Sequence, residues 1–204
     1  MGSPSIQAAT PDAVLPSATT VVPVTPTSTP ETTAPAEPWV FKGATLSIPS
    51  INLREQEISP YTPDQLVDVT INGKTFEKAA VEPAAADTIA WYTGIEGASL
   101  SSQATSCNYV YGHAYLNSWA VFNNISQMQE GSNAIIKTGN GETLPYQVQD
   151  SFEIDKDRLQ SDPRMIDGGP GCLFLITCNS TGERDTSGHT VKNWAVRLQL
   201  QPVS

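Results

Sequence analysis

Positive charge is scarce in this sequence: 11 Lys and Arg stand against 21 Asp and Glu, a formal net charge of −10. A surface of that sign repels phosphate, which excludes nucleic acid and anionic lipid as partners held through charge. No basic run of the kind that fastens a protein to a membrane surface is present. Long apolar runs are missing too, since nothing approaches the ~20 residues of a spanning helix. No charged, apolar and small-residue succession marks a secretion signal at the start. The two histidines and three cysteines show no ligand spacing such as Cys-x2-Cys, so neither a metal nor another cofactor is expected. There is no internal repeat, and 204 residues leave room for one core of ordinary domain size.

Proline is plentiful but unevenly placed. Eight of the 16 prolines (Pro4, Pro11, Pro16, Pro23, Pro26, Pro30, Pro35 and Pro38) lie among Thr, Ala, Val and Ser ahead of the first basic residue, Lys42. Such spacing denies the backbone both helix and ladder hydrogen bonds and leaves an extended chain. Runs such as Thr19-Thr20-Val21-Val22 bury too little apolar surface to offset the entropy of ordering. Residues 1–38 are therefore expected to be a disordered stalk or linker, and residues 39–204 the folded domain. A Pro/Thr/Ser stalk points to the extracellular side. The chain is thus expected to be a soluble ectodomain whose anchor segment is absent, and a monomer.

The folded part reads as many short strands with close turn signals and little helix, an all-β barrel or sandwich. Thr45-Leu46-Ser47-Ile48 is a strand stopped by Pro49, and Glu55 to Asp64, with Pro60 and Pro63, reads as an exposed loop. Asn72-Gly73 marks a hairpin between Val67–Ile71 and the strand opened by Lys74. Trp119 to Ile125 suggests a helical turn, and Lys156 to Ser161 a short helix stopped by Pro163. Strands follow over Asn133–Lys137 and Tyr146–Ile154, and Trp194–Leu200 closes the domain.

Two further strands carry the chemistry. Gly171 to Asn179 is an apolar, β-branched run bounded by turn formers, with Cys178 at its end. A cysteine there can reach solvent as a nucleophile, or it can be a buried structural thiol. Cys107 to His113 is a second short run. Cys107 precedes His113 by six residues, and Cys172 precedes Cys178 by six. If the two strands run parallel and in register, one alignment sets Cys107 beside Cys172 and His113 beside Cys178. Because six is even, each pair shares a face. The first pair is then either a disulfide, permitted in an oxidising location, or two buried thiols facing each other. His189, in the Ser187-Gly188-His189-Thr190 loop, reads as a surface residue.

Ile48-Pro49 with Ile51, Ile89-Ala90-Trp91-Tyr92, Tyr111-Gly112-His113, Phe122 and Leu175-Ile176-Thr177-Cys178 resemble, in kind and order, the sortases of Gram-positive bacteria. The resemblance covers roughly residues 41–201. It implies an eight-stranded closed barrel with short helices and long loops. It also implies cysteine transpeptidation: a sorting signal near the C-terminus of a secreted protein, of the Leu-Pro-x-Thr-Gly kind, is cleaved through a thioacyl enzyme. The acyl group then passes to an amine of a peptidoglycan precursor or a pilin lysine, at the cell membrane or wall. By position, Cys178 would be the nucleophile and His113 the general acid. A thiolate attacks well and an imidazole titrates near neutrality, as these roles need.

The resemblance also implies an arginine at the start of the last strand, facing the cysteine. Alignment on Trp194-Ala195-Val196 puts it within Val191-Lys192-Asn193, where no arginine stands. Lys192 is the expected substitute, with Arg184 of the connecting loop behind it, although a lysine is a point charge and not a planar fork. Arg197 lies about five residues further on, roughly 16 Å at ~3.3 Å per residue. Asn193 could itself donate a hydrogen bond to an oxyanion. Two other functions compete: a cysteine hydrolase, in which water resolves the thioester, and a catalytically weak or silent peptide-binding module on a stalk.

Overall fold

A computed structural model describes residues 41–71, 73–166 and 168–202. The expected stalk, residues 1–38, lies outside them. Eight strands close a barrel in the order β1 (Ala44–Ile48), β2 (Leu53–Tyr61), β5 (Ile89–Tyr92), β6 (Asn108–Gly112), β9 (Cys172–Cys178), β10 (Lys192–Leu200), β8 (Thr143–Asp155) and β7 (Asn133–Thr138). The remaining two, β3 (Val67–Ile71) and β4 (Lys74–Ala80), pair antiparallel as expected, in a separate two-stranded sheet. The all-β barrel is as expected. Among the described residues no helix is long and apolar enough to cross a membrane.

Alternation along the strands separates two apolar clusters. Leu46, Ile58, Ile136, Val148, Leu173, Leu175, Val196 and Leu198 belong to the larger core. The opposite faces of β8, β9 and β10 supply Phe152, Ile154, Phe174, Ile176 and Ala195 to a smaller cluster with Met165. Six consecutive residues of β9 are consequently buried, which explains its unbroken apolar sequence: a strand covered on both faces shows no polar alternation. Each large apolar side chain so enclosed contributes about 1.5–3 kcal/mol.

Three expectations change in detail. Residues Glu55 to Tyr61 are strand and not loop: they pair antiparallel with β1 and then parallel with β5. Exposed Arg54, Glu55, Ser59 and Pro60 give this stretch a loop-like composition, but its ladder and the inward Leu53 and Ile58 hold it. The helical turn expected over 119–125 forms at Ile125–Gln127. Pro163 starts a helical turn, Pro163–Ile166, where it was expected to end one; at a first helical position its missing N–H costs nothing.

Candidate active site

β6 and β9 lie side by side and parallel, with Asn108 opposite Leu173 and Tyr111 opposite Ile176. That register, continued one step down and two steps up, sets Cys107 against Cys172 and His113 against Cys178. At the lower end Cys107 and Cys172 form a disulfide, with Cα atoms 4.5 Å apart. At the upper end the Thr177 hydroxyl donates to the Gly112 carbonyl at 2.7 Å, clamping the two strand ends together just below the cysteine and the histidine.

His113 is fixed from three sides. Its Nε2 lies 2.9 Å from the Pro83 carbonyl oxygen. A carbonyl only accepts, so Nε2 is the donor in this contact. Tyr115 stacks on the ring at 5.3 Å, and the Glu82 carboxylate stands 3.8 Å from Nε2. The backbone amide of Phe122 donates to the His113 carbonyl at 3.0 Å, and the Phe122 ring is pressed against Gly112. Cys178 is the one free cysteine and is half-buried. Across the antiparallel β9–β10 ladder, its direct partner is Asn193.

Cys178, His113, Thr177 and Asn193 line one cleft of about 180 Å3. Val69, Ile71 and Phe76 of the β3–β4 hairpin give its lining an apolar part, and Lys156, Asp157 and Leu159 also line it. Tyr111 also borders the cleft. Burial, with the neighbouring Tyr109 and Tyr92, pushes its phenol well above the ordinary value and keeps it neutral.

A family model of the sortase domain matches residues 46–199. The chain belongs to the sortase family. Among solved structures it is similar to sortase A from Corynebacterium diphtheriae, with 17% identity and a TM-score of 0.52 over 79% of this chain and 61% of that one. Sortase C1 from Streptococcus suis shows 15% identity and a TM-score of 0.53, covering 80% of this chain and 75% of that one. Sortase C-1 from Actinomyces oris shows 16% identity and 0.50, covering 78% and 72%. At these identities the likeness is one of fold. The chain spans about three fifths of the length of the Corynebacterium diphtheriae chain. No curated protein matches it.

In this sortase, Cys178, His113 and Asn193 come together, whereas Lys192 and Arg184 lie elsewhere. Lys192 donates from Nζ to Glu153 at 3.3 Å. It borders a separate polar recess with Asp155, Arg158, Asp162 and Arg164. Arg184 closes its own loop, donating to the Gly188 carbonyl at 2.7 Å and the Ser180 carbonyl at 3.0 Å. Arg197 pairs with Phe174, four residues before Cys178 on β9. The Asp185 carboxylate accepts from the backbone amide of exposed His189. Sequence reasoning missed Pro83, Glu82 and Lys156. The Asn72-Gly73 signal marked the hairpin but not the cleft lining that it supplies, because a turn signal carries no information about what the hairpin packs against.

Proposed function

We propose that the protein is a cysteine transpeptidase that cleaves a C-terminal sorting signal of the Leu-Pro-x-Thr-Gly kind and transfers the acyl part to an amine. The carrying observation is the matched placing of His113 and Cys178 at the ends of parallel strands in one cleft. The Cys178 sulfur adds to the scissile carbonyl carbon, and the carbonyl electron pair moves to oxygen. On collapse the C–N bond breaks, the departing amine takes a proton from the His113 imidazolium, and a thioacyl enzyme remains. An incoming amine then adds to the thioester and gives its proton to neutral His113 as the Cys178 thiolate leaves. The apolar hairpin lining suits the Leu-Pro part of such a signal. The acceptor is the amine of a peptidoglycan precursor or a pilin lysine, and the setting is the outer face of the cell membrane or the wall. The oxidised Cys107–Cys172 pair supports that location.

Incubation with a Leu-Pro-x-Thr-Gly peptide library and triglycine, read by intact mass, tests the reaction. An acyl adduct and a ligated peptide are expected, both absent with Cys178→Ala, and both slowed by at least ~100-fold with His113→Ala. Lys192→Ala and Arg184→Ala are expected to acylate within about twofold of the unaltered protein, since both side chains are bound outside the cleft. The same geometry leaves no arginine among the cleft residues, which favours, as a second reading, a weak or silent peptide-binding module. A Cys178 that ignores both peptide and thiol reagents would establish that reading. An adduct released only to water would mark a hydrolase.

A further inference from the structure

We infer that Asn193 is a catalytic residue of this cleft, its side-chain amide supplying a neutral hydrogen bond to the oxyanion formed when Cys178 adds to a carbonyl. The inference rests on reading Cys178 as the nucleophile. It does not depend on which peptide is the substrate.

Three observations converge on this residue. Asn193 is the direct cross-strand partner of Cys178, so the two side chains stand on the same face, with Cβ atoms about 4.5–5.5 Å apart. Both border the same cleft, and Asn193 is only 8% exposed. Finally, no hydrogen bond within the described residues engages its carboxamide, and this sets it apart from the other buried amides. Asn108 accepts from the Trp91 indole and donates to the Ser99 carbonyl. Asn179 donates to Glu153 and accepts from Thr181. Neither of its carboxamide atoms is among the buried polar atoms left without a partner, so the amide is open to the cleft and can exchange water for a ligand. Placed beside a nucleophile, it is a donor held ready for whatever binds there.

The chemistry fixes which atom acts. When the sulfur–carbon bond forms, the carbonyl electron pair moves to an oxygen one bond from the carbon that the sulfur has just reached. A donor that follows this oxygen must sit one strand spacing from Cys178, which is where β10 puts residue 193. Nδ2–H donates to the oxygen and strengthens as charge develops; Oδ1 remains to accept from a substrate N–H. On collapse the oxygen returns its electron pair, the bond to the leaving group breaks, and that group takes the proton held by His113. Lys192, the adjacent residue, points to the other face by strand alternation and is paired there with Glu153. The amide is therefore the group of β10 that faces the reacting atoms.

Two probes of Cys178, applied to the full chain, separate this role from a structural one. A p-nitrophenyl ester acylates the thiol through an oxyanion; iodoacetamide alkylates it by displacement at a saturated carbon and forms none. Asn193→Ala is expected to slow acylation by ~10²–10³-fold while alkylation and melting temperature stay within about twofold and a few degrees of the unaltered protein. Asn193→Asp, close to isosteric, is expected to acylate at least as slowly near neutral pH, because a carboxylate cannot donate and repels the oxyanion. Equal slowing of both probes would overturn the inference, leaving Asn193 as a support for the thiol. Unchanged acylation would also overturn it, as would a protein whose Cys178 alkylates but never acylates. A loss confined to Lys156→Ala would move the role to that lysine. Ester acylation with no peptide transfer would count against the transpeptidase reading alone.

Discussion

A methyl group on Gly112 would lie 2.5 Å from the ring of Phe122, and that ring has nowhere to go, being fully buried. Its backbone amide is also tied to the His113 carbonyl. Gly112→Ala must therefore displace either the ring or the strand end that carries His113. We expect a loss of about 1–3 kcal/mol in stability, read from denaturant unfolding. We also expect a fall in acylation larger than the unfolded fraction explains, because misplacing a catalytic group by about 1 Å costs up to ~100-fold. A variant of full stability and full activity would show that the ring has another place to pack. At this scale His113 and Cys178 were readable from sequence, as two residues at equal offsets from two further cysteines. Pro83, which holds the histidine ring, was not: a backbone carbonyl has no residue-type signature, and this one is 30 positions away in the chain.

The disulfide joins the two strands that carry the thiol and the imidazole, at the ends away from the chemistry. It spans a sequence separation of 65, so loop-closure entropy predicts that breaking it costs roughly 4 kcal/mol. Thiol titration in denaturant without reductant should find one reactive group, Cys178; three would mean that the bond does not form. Cys107→Ala with Cys172→Ala should unfold at lower denaturant yet keep acylation near normal while folded, because the β6–β9 ladder and the Thr177–Gly112 bond also hold the register. Equal spacing showed that one parallel register would align both residue pairs, and the β6–β9 ladder has that register. β2 was not legible, since its central residues Glu55 to Glu57 and its end, with Pro60, carry little apolar alternation. The choice of Lys192 over Asn193 shows a second limit. Alignment confined the position to three residues and charge favoured the lysine, but in a strand a shift of one residue exchanges the faces. The β9–β10 register puts Asn193, not Lys192, on the side of Cys178.

For the whole molecule the question is where the folded unit begins. The barrel's first strand starts at Ala44, but two features ahead of it belong to the packed structure. Phe41 lies against Trp91 with ring centroids 5.4 Å apart, and the Gly43 carbonyl accepts from the Gly139 amide at 2.7 Å. Composition set the boundary a few residues earlier, at Trp39, where the proline-rich stretch gives way to aromatic and apolar residues. We propose that residues 39–204 fold and react without the preceding stalk. A chain shortened to begin at residue 39 should match the full chain in denaturant midpoint and acylate Cys178 at a rate within about twofold, since surface changes away from packed features are usually worth less than ~0.5 kcal/mol. A chain beginning at residue 44 should instead lose about 1 kcal/mol or more, through exposure of the Trp91 ring and loss of the Gly43–Gly139 bond. The pair of truncations tests the boundary from both sides. If the chain beginning at residue 44 loses nothing, Phe41 is not part of the core. If the longer chain already loses stability or rate, residues 1–38 contribute to the folded unit and the stalk reading fails.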